Sequence, residues 1–288
     1  MNYDLWISGF RDPFTGELKD LGIKDGIITY NGRFFDGVKQ TFQARETVTA
    51  AGKLLIPGLV EAHIHLDKAF LTQRMNREAE NLTDAIQITA DLKNDYTIED
   101  IIERSVALIE RSIQSGVTHL RCQVEVDPII GLKSMEAALY VKELYRPFLD
   151  MQLVVFPQEG IFKQEGMFEL MKQAISMGGD AVGGIPYNDL DALEHLEWVF
   201  QLAVERGLPV DLHVDFSDNP EQRTIEDIVE LTKKYGMEGK VSVAHLTSLG
   251  SMEPVEARAI AARMAEAQVH VSTLPATDLY LNGRGDAY

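Results

Sequence analysis

The sequence predicts an α/β chain: a barrel of parallel strands, incomplete at about seven strands, behind a small N-terminal β-domain. Three observations predict it. From Leu54 onward, short apolar strands alternate with helix-period segments, which calls for a parallel sheet. Those strands carry polar residues on one face and apolar residues on the other. An open sheet covered on both sides would read as continuous apolar runs instead. Before Leu54 the texture is different, with short strands set between glycines and asparagines and no helical period.

Residues 1–56 read as the small β-domain. Its strands are Asp4 to Gly9, Leu18 to Ile23 and Gly26 to Tyr30, and Lys24-Asp25-Gly26 is a hairpin turn signal. Residues 57–288 read as the barrel. Its strand candidates are Leu59–Leu66, Val117–Val126, Gln152–Phe156, Ala181–Ile185, Pro209–Val214, Lys240–Leu246 and Val269–Leu274. Helices are expected between them, near 97–115, 134–147, 164–178, 189–206, 221–236 and 254–267. Thr97 with Asp100, and Asp189 ahead of the spacing Leu190, Leu193, Leu196, Val199, Phe200, mark two helix starts. Gly116, Gly178, Gly207 and Gly236 mark helix ends.

The faces of these strands favour a (β/α)8-type TIM barrel. His119, Arg121, Gln123 and Glu125 share one face of the second strand, against Leu120, Cys122, Val124 and Val126. Asp211, His213 and Asp215 share one face of the fifth, and His245 and Thr247 one face of the sixth. A barrel strand packs its apolar face under helices, and its inner face can turn polar near the C-terminal end, where barrel active sites are built.

Composition narrows the function. A chain of 288 residues with 45% hydrophobic and 25% charged residues is that of a globular protein with a large core. No run of eighteen apolar residues is present, and the N-terminus lacks a secretory pattern, so no membrane role is expected. A net charge of −18 without a basic cluster argues against nucleic acid as a partner. The single cysteine, Cys122, falls on an apolar strand face and is assigned to packing; a cytoplasmic setting is expected. Trp6 and Trp198 are also assigned to packing, His119 and His270 to structure, and His195 to the surface or boundary of its helix.

The segment from Pro57 to Lys68 carries the chemistry. In a strand, His63 and His65 point the same way, with Glu61 and Asp67 on their face and Ala62, Ile64 and Leu66 on the other. Two imidazoles a few ångströms apart can hold one divalent metal. Alone, such a pair could equally be two histidines satisfied by hydrogen bonds. In the barrel, however, His213 and His245 also sit at inward strand ends. Three imidazoles, His63, His65 and His213, then make an open metal site that supplies hydroxide as nucleophile. His245 could orient that water or shuttle its proton. Imidazole accepts both zinc and Fe(II), so the metal is left as either.

At this point the chain resembles the amidohydrolase superfamily, and within it the cytosine deaminase-like branch, which includes N-isopropylammelide amidohydrolase. The motifs are Pro57-Gly58 to Lys68, Phe156-Pro157-Gln158-Glu159-Gly160, Gly183-Gly184-Ile185-Pro186, His213-Val214-Asp215, Ala244-His245-Leu246-Thr247-Ser248 and Leu281-Asn282-Gly283-Arg284. The resemblance implies His63, His65 and His213 as metal ligands and His245 as a catalytic contact to the metal water or leaving group. It implies Gln158 as a reader of the amide-like edge of a heterocycle, with Lys68 a second substrate-binding candidate. The implied function is metal-dependent hydrolysis of a non-peptide C–N bond in a small nitrogen heterocycle.

Two departures qualify it. The deaminases carry a glutamate three residues after the strand-five histidine, and here that position is Phe216. The family's strand-eight aspartate has no counterpart, because Asp278 and Asp286 read as loop residues after the seventh strand. The expectations are therefore a truncated chain that is poorly active alone, with a cyclic amide hydrolase or a non-catalytic binder as alternatives. The edge left between the first and seventh strands invites pairing, so a homo-oligomer is open.

Overall fold

The computed structural model describes residues 2–34 and 43–282. Contacts divide the chain into two units, Met1–Gly58 and Leu59–Tyr288.

The first unit is a four-stranded sheet of β1 (Asn2–Arg11), β2 (Leu18–Lys24), β3 (Ile27–Arg33) and β4 (Gln43–Thr49). Its order is β3-β2-β1-β4, with β4 parallel to β1 and the other pairs antiparallel. The β2–β3 turn places Asp25 and Gly26 at φ of 51° and 74°. Positive φ at both central residues twists the hairpin in the strands' own sense, which is why Asp-Gly occupies it. Trp6 is buried and packs on Tyr3 and Tyr30 at centroid distances of 5.0 and 5.1 Å. The sequence reading missed β4, whose side chains are mostly exposed and give no alternation.

The second unit is a nearly closed barrel. Strands β5 (Leu59–Ile64), β6 (Val117–Glu125), β7 (Asp150–Phe156), β8 (Ala181–Gly184), β9 (Val210–Val214), β10 (Val241–His245) and β11 (His270–Ser272) form one parallel sheet in sequence order. The helices are α1 (Leu82–Leu92), α2 (Ile98–Gln114), α3 (Lys133–Tyr145), α4 (Met167–Gly178), α5 (Ala192–Arg206), α6 (Ile225–Tyr235), α7 (Pro254–Glu266) and α8 (Pro275–Leu281). Leu120, Cys122, Val124, Leu153, Val155, Leu212 and Val243 join the helices' apolar faces in one core. Cys122 is buried there, and burial raises its thiol pKa, so it stays a packed thiol.

Three expectations are corrected. Helix α5 starts at Asp191, whose carboxylate accepts from Glu194 N at 2.9 Å, and not at Asp189. His195 is fully buried rather than at the surface, because it faces the sheet and accepts a 3.0 Å bond from Ile185 N through Nε2. Asp278 lies on α8, a short helix after β11, rather than in a loop. Helices α1 and α8 were both missed, and neither has a buried residue that would tie it to the core. Asp286 and the Gly283-Arg284 part of the last motif lie outside the described residues.

Candidate metal centre and its cavity

His63 and His65 reach one site because β5 is irregular. Glu61 pairs with Leu120 and Ile64 with Cys122, so two residues of β5, Ala62 and His63, stand opposite the single residue between those partners. This is a β-bulge, which re-aims side chains next to active sites. Without it, the period of two would give Glu61 and His63 a common face, as the sequence reading expected. Glu61 instead pairs with outward Leu120, and its Oε1 accepts from His63 N at 3.1 Å. Asp67 also leaves the site: its Oδ2 accepts from Glu125 N at 3.0 Å.

His63, His65 and His213 come together with ligand atoms all within 4.8 Å of one another. The Nε2 atoms of His65 and His213 are 3.1 Å apart. Desolvation is the main cause that lowers all three imidazole pKa values, that of His63 to about 3 and those of His65 and His213 well below the usual range. Neutral rings keep a free lone pair. Among the described residues, both ring nitrogens of His63 and the Nδ1 atoms of His65 and His213 are buried without a hydrogen-bond partner. Buried polar nitrogens left unmet are costly, and a divalent cation accepts such lone pairs, so this donor set fits a metal. Phe156 stacks on His213 at a centroid distance of 4.1 Å and fixes the ring plane.

His245 joins them, with ring centroids 5.5 Å from His63 and 5.3 Å from His213. Strand parity does not bring it there. Ser242 and Ala244 pair with the inward Asp211 and His213, so regular alternation would turn His245 outward. The backbone instead turns left-handed at His245 and Leu246, with φ of 73° and 54°. Non-glycine residues adopt this conformation at a cost, and it recurs at functional sites. Phe216 stacks on His245 at 4.0 Å and 11°. His245 Nδ1 lies 2.8 Å from Asp278 Oδ1.

Lys68 and Gln158 meet beside the histidines. Lys68 Nζ donates to Gln158 Oε1 at 2.6 Å and pairs with Glu125 at 3.0 Å. Glu125 also pairs with Lys93, a buried lysine that contacts Asp127 at 2.8 Å and Glu159 at 2.6 Å. Desolvation opposes the Lys93 charge, but Glu125 and Asp127 outweigh it, so its pKa moves up. The loop bearing Gln158 is held from the other side. Asn188 Nδ2 donates to Gln158 O at 2.7 Å, and Asp189 accepts from Ile161 N, Phe162 N and His195 Nδ1. With His195 Nε2 accepting from Ile185 N, the ring's proton sits on Nδ1.

Beside these groups lies a cavity of about 280 Å³. Lys68, Gln158, Tyr187, Phe216 and His245 line it, and Leu82, Ala85, Ile86 and Thr89 of α1 bring one helix face to it. A volume this small suits a single small ring. A larger hollow of about 730 Å³, lined by Val60, Ala62, Arg121, Gln152 and Ser242 among others, does not include the histidine cluster. The sequence reading set Asp278 aside as a loop residue, gave Phe156 no role beyond its motif, and missed Lys93 and the α1 face. The spacing of Leu82, Ala85, Ile86 and Thr89 was the one legible signal among them.

Residues 108–288 match the model of the amidohydrolase family. The chain is 29% identical over 252 residues to N-isopropylammelide isopropyl amidohydrolase of Pseudomonas sp. (strain ADP), covering 85% of this chain and 61% of that protein. A 5-methylcytosine deaminase from Klebsiella pneumoniae, liganded with phosphonocytosine, superposes with a TM-score of 0.88 at 29% identity, over 98% of this chain and 69% of its own. N-isopropylammelide isopropylaminohydrolase from Burkholderia multivorans superposes with a TM-score of 0.80 at 28% identity, over 93% and 67%. The chain thus spans about two thirds of the length of these relatives, or less.

Proposed function

The chain belongs to the amidohydrolase family, and from that premise we propose that it serves metal-dependent hydrolysis of a non-peptide C–N bond in a small nitrogen heterocycle. The observation that carries this reading is the convergence of His63, His65 and His213 beside a ring-sized cavity walled by Gln158 and His245. The relatives named above act on N-isopropylammelide and 5-methylcytosine, which are substrates of this class.

His63, His65 and His213 are the proposed ligands, and zinc or Fe(II) the proposed metal. A divalent ion held there would supply Lewis acidity and draw a nucleophile from water at neutral pH. The remaining chemistry belongs to the chain. The Lys68 ammonium has only donors, so it occupies Gln158 Oε1 and leaves Nε2 for the substrate. Gln158 therefore presents a donor to a ring carbonyl or ring nitrogen. His245 accepts the proton that water releases and returns it to the departing amine or ammonia. Phe156 and Phe216 border the imidazoles and keep solvent from them, which strengthens each polar contact. A cytoplasmic setting belongs to the same proposal and is supported by the lone, buried Cys122. Among the described residues, no helix is long and apolar enough to cross a membrane.

Phe216 favours a second reading, a binder without turnover. It offers an aromatic face where the deaminases offer a carboxylate. One experiment separates the two. Metal content is measured on untagged protein and on His63→Ala, and amine release is assayed with cytosine, 5-methylcytosine and N-isopropylammelide. About one metal per chain, lost in the variant, with amine release supports the hydrolase. Metal and tight binding without release supports the binder. Metal in neither protein would sink the histidine site itself.

A further inference from the structure

We propose that Asp278 is a positioning residue for His245, fixing the imidazole as the tautomer with its proton on Nδ1 and its lone pair on Nε2. The inference rests on the proposed role of His245 as proton carrier and deepens it. The ring is held on two sides. Asp278 Oδ1 lies 2.8 Å from Nδ1, and a carboxylate can only accept, so that nitrogen must donate. Asp278 cannot swing away easily, since its Oδ2 accepts from Leu274 N at 2.9 Å. Phe216 covers the ring face at 4.0 Å and 11°, which sets the plane in which Nδ1 meets the carboxylate. The pair is largely buried, with side-chain exposures of 5% for His245 and 12% for Asp278, so water competes weakly for the bond.

This arrangement gives Phe216 and Asp278 complementary duties. Phe216 brings no proton-carrying group, and the stack it makes leaves one carrier, His245, in a defined state. The carboxylate on Nδ1 is the arrangement by which an aspartate orients a histidine and fixes its tautomer. Asp278 is not one of the three clustered ligands or of the residues that line the cavity, and its side chain meets His245, which does line it, so it acts through His245.

The test is the tautomer, read by nitrogen NMR of histidine-labelled, zinc-loaded protein, with the His245 signal assigned by its loss in His245→Gln. The unsubstituted protein is expected to show Nδ1 protonated and Nε2 bare. Asp278→Ala is expected to lose that state, moving the proton to Nε2 or averaging the two, while zinc stays near one per chain. Asn282→Ala is the control, because Asn282 Nδ2 bonds Thr247 Oγ1 at 3.3 Å and so removes a separate tie beside α8. It should leave the tautomer unchanged. The proposal is overturned if the unsubstituted protein already carries the proton on Nε2, whatever the variants do. It is equally overturned if Asp278→Ala keeps the Nδ1 proton, if Asn282→Ala loses it to the same extent, or if Asp278→Ala loses zinc. None of these readings needs turnover, so absence of amine release would count against the hydrolase proposal alone.

Discussion

At the residue scale the three histidines trade stability for a site. Desolvation holds His63, His65 and His213 neutral, with pKa values below the 6.5 of an unfolded chain. The unfolded chain therefore binds more protons once the pH drops below about 6.5, and folding stability falls with it. Each such histidine contributes about 1.4 kcal/mol per pH unit to that slope. In metal-free protein, the melting temperature is expected to fall steadily from pH 6.5 toward pH 4, and less steeply in His63→Ala. Equal slopes in both proteins would show that His63 is not held neutral. How far these residues were legible depended on the backbone. His213 follows from strand alternation, and the sequence alone places it. His63 and His245 were expected at the site for a reason the structure replaces, since one needs the bulge in β5 and the other a left-handed turn. Neither feature has a composition signal, as Ala62 and His245 are not residues that announce irregular backbone. Asp278 was read as a loop residue without a role because its partner lies 33 positions earlier in the chain.

At the element scale, the loop that carries Gln158 is tied to the start of α5 by a buried pair. Asp189 accepts from Ile161 N at 2.5 Å and Phe162 N at 3.0 Å, and His195 links it to the end of β8. Gly160 belongs to the same joint, with φ of 85° and a Cβ position only 2.8 Å from Asn188 O. No side chain fits there without moving that backbone. Asp189→Ala strands the two amide groups and the His195 ring, which costs about 2–4 kcal/mol. Urea unfolding should show that loss as a lower midpoint with an unchanged slope. A midpoint within error of the parent's would mean that water replaces the carboxylate. The alternation of strands and helices was readable because each barrel strand has one core-facing side. The start of α5 was misplaced by two residues because Asp189 and Asp191 are equally good capping residues in sequence.

At the scale of the whole molecule, a net charge of −18 gives a sequence pI near 4.8. Mutual repulsion keeps such chains apart at neutral pH and vanishes at the pI. Turbidity at fixed protein concentration is expected to peak between pH 4.5 and 5, roughly at that charge balance, where the histidines also weaken the fold. A turbidity maximum near neutrality would show that exposed apolar surface, not charge, governs association. Within this acidic chain the barrel keeps its strands in sequence order, so most of its pairings are between successive units. That regularity is why the fold could be read from one sequence, while the small sheet, which returns β4 beside β1, could not be read in full.

Lys93 turns the same molecule into its own clock. Its amine is sealed under Glu125, Asp127 and Glu159 with no exposed side-chain surface. An acylating reagent consumes a neutral, accessible amine, and this one is neither until the barrel opens. Exposed lysines would be labelled first, and Lys93 only as often as the structure lets it out. Peptide mass spectrometry of that single modification would then record the frequency of opening directly, with no denaturant and no substrate.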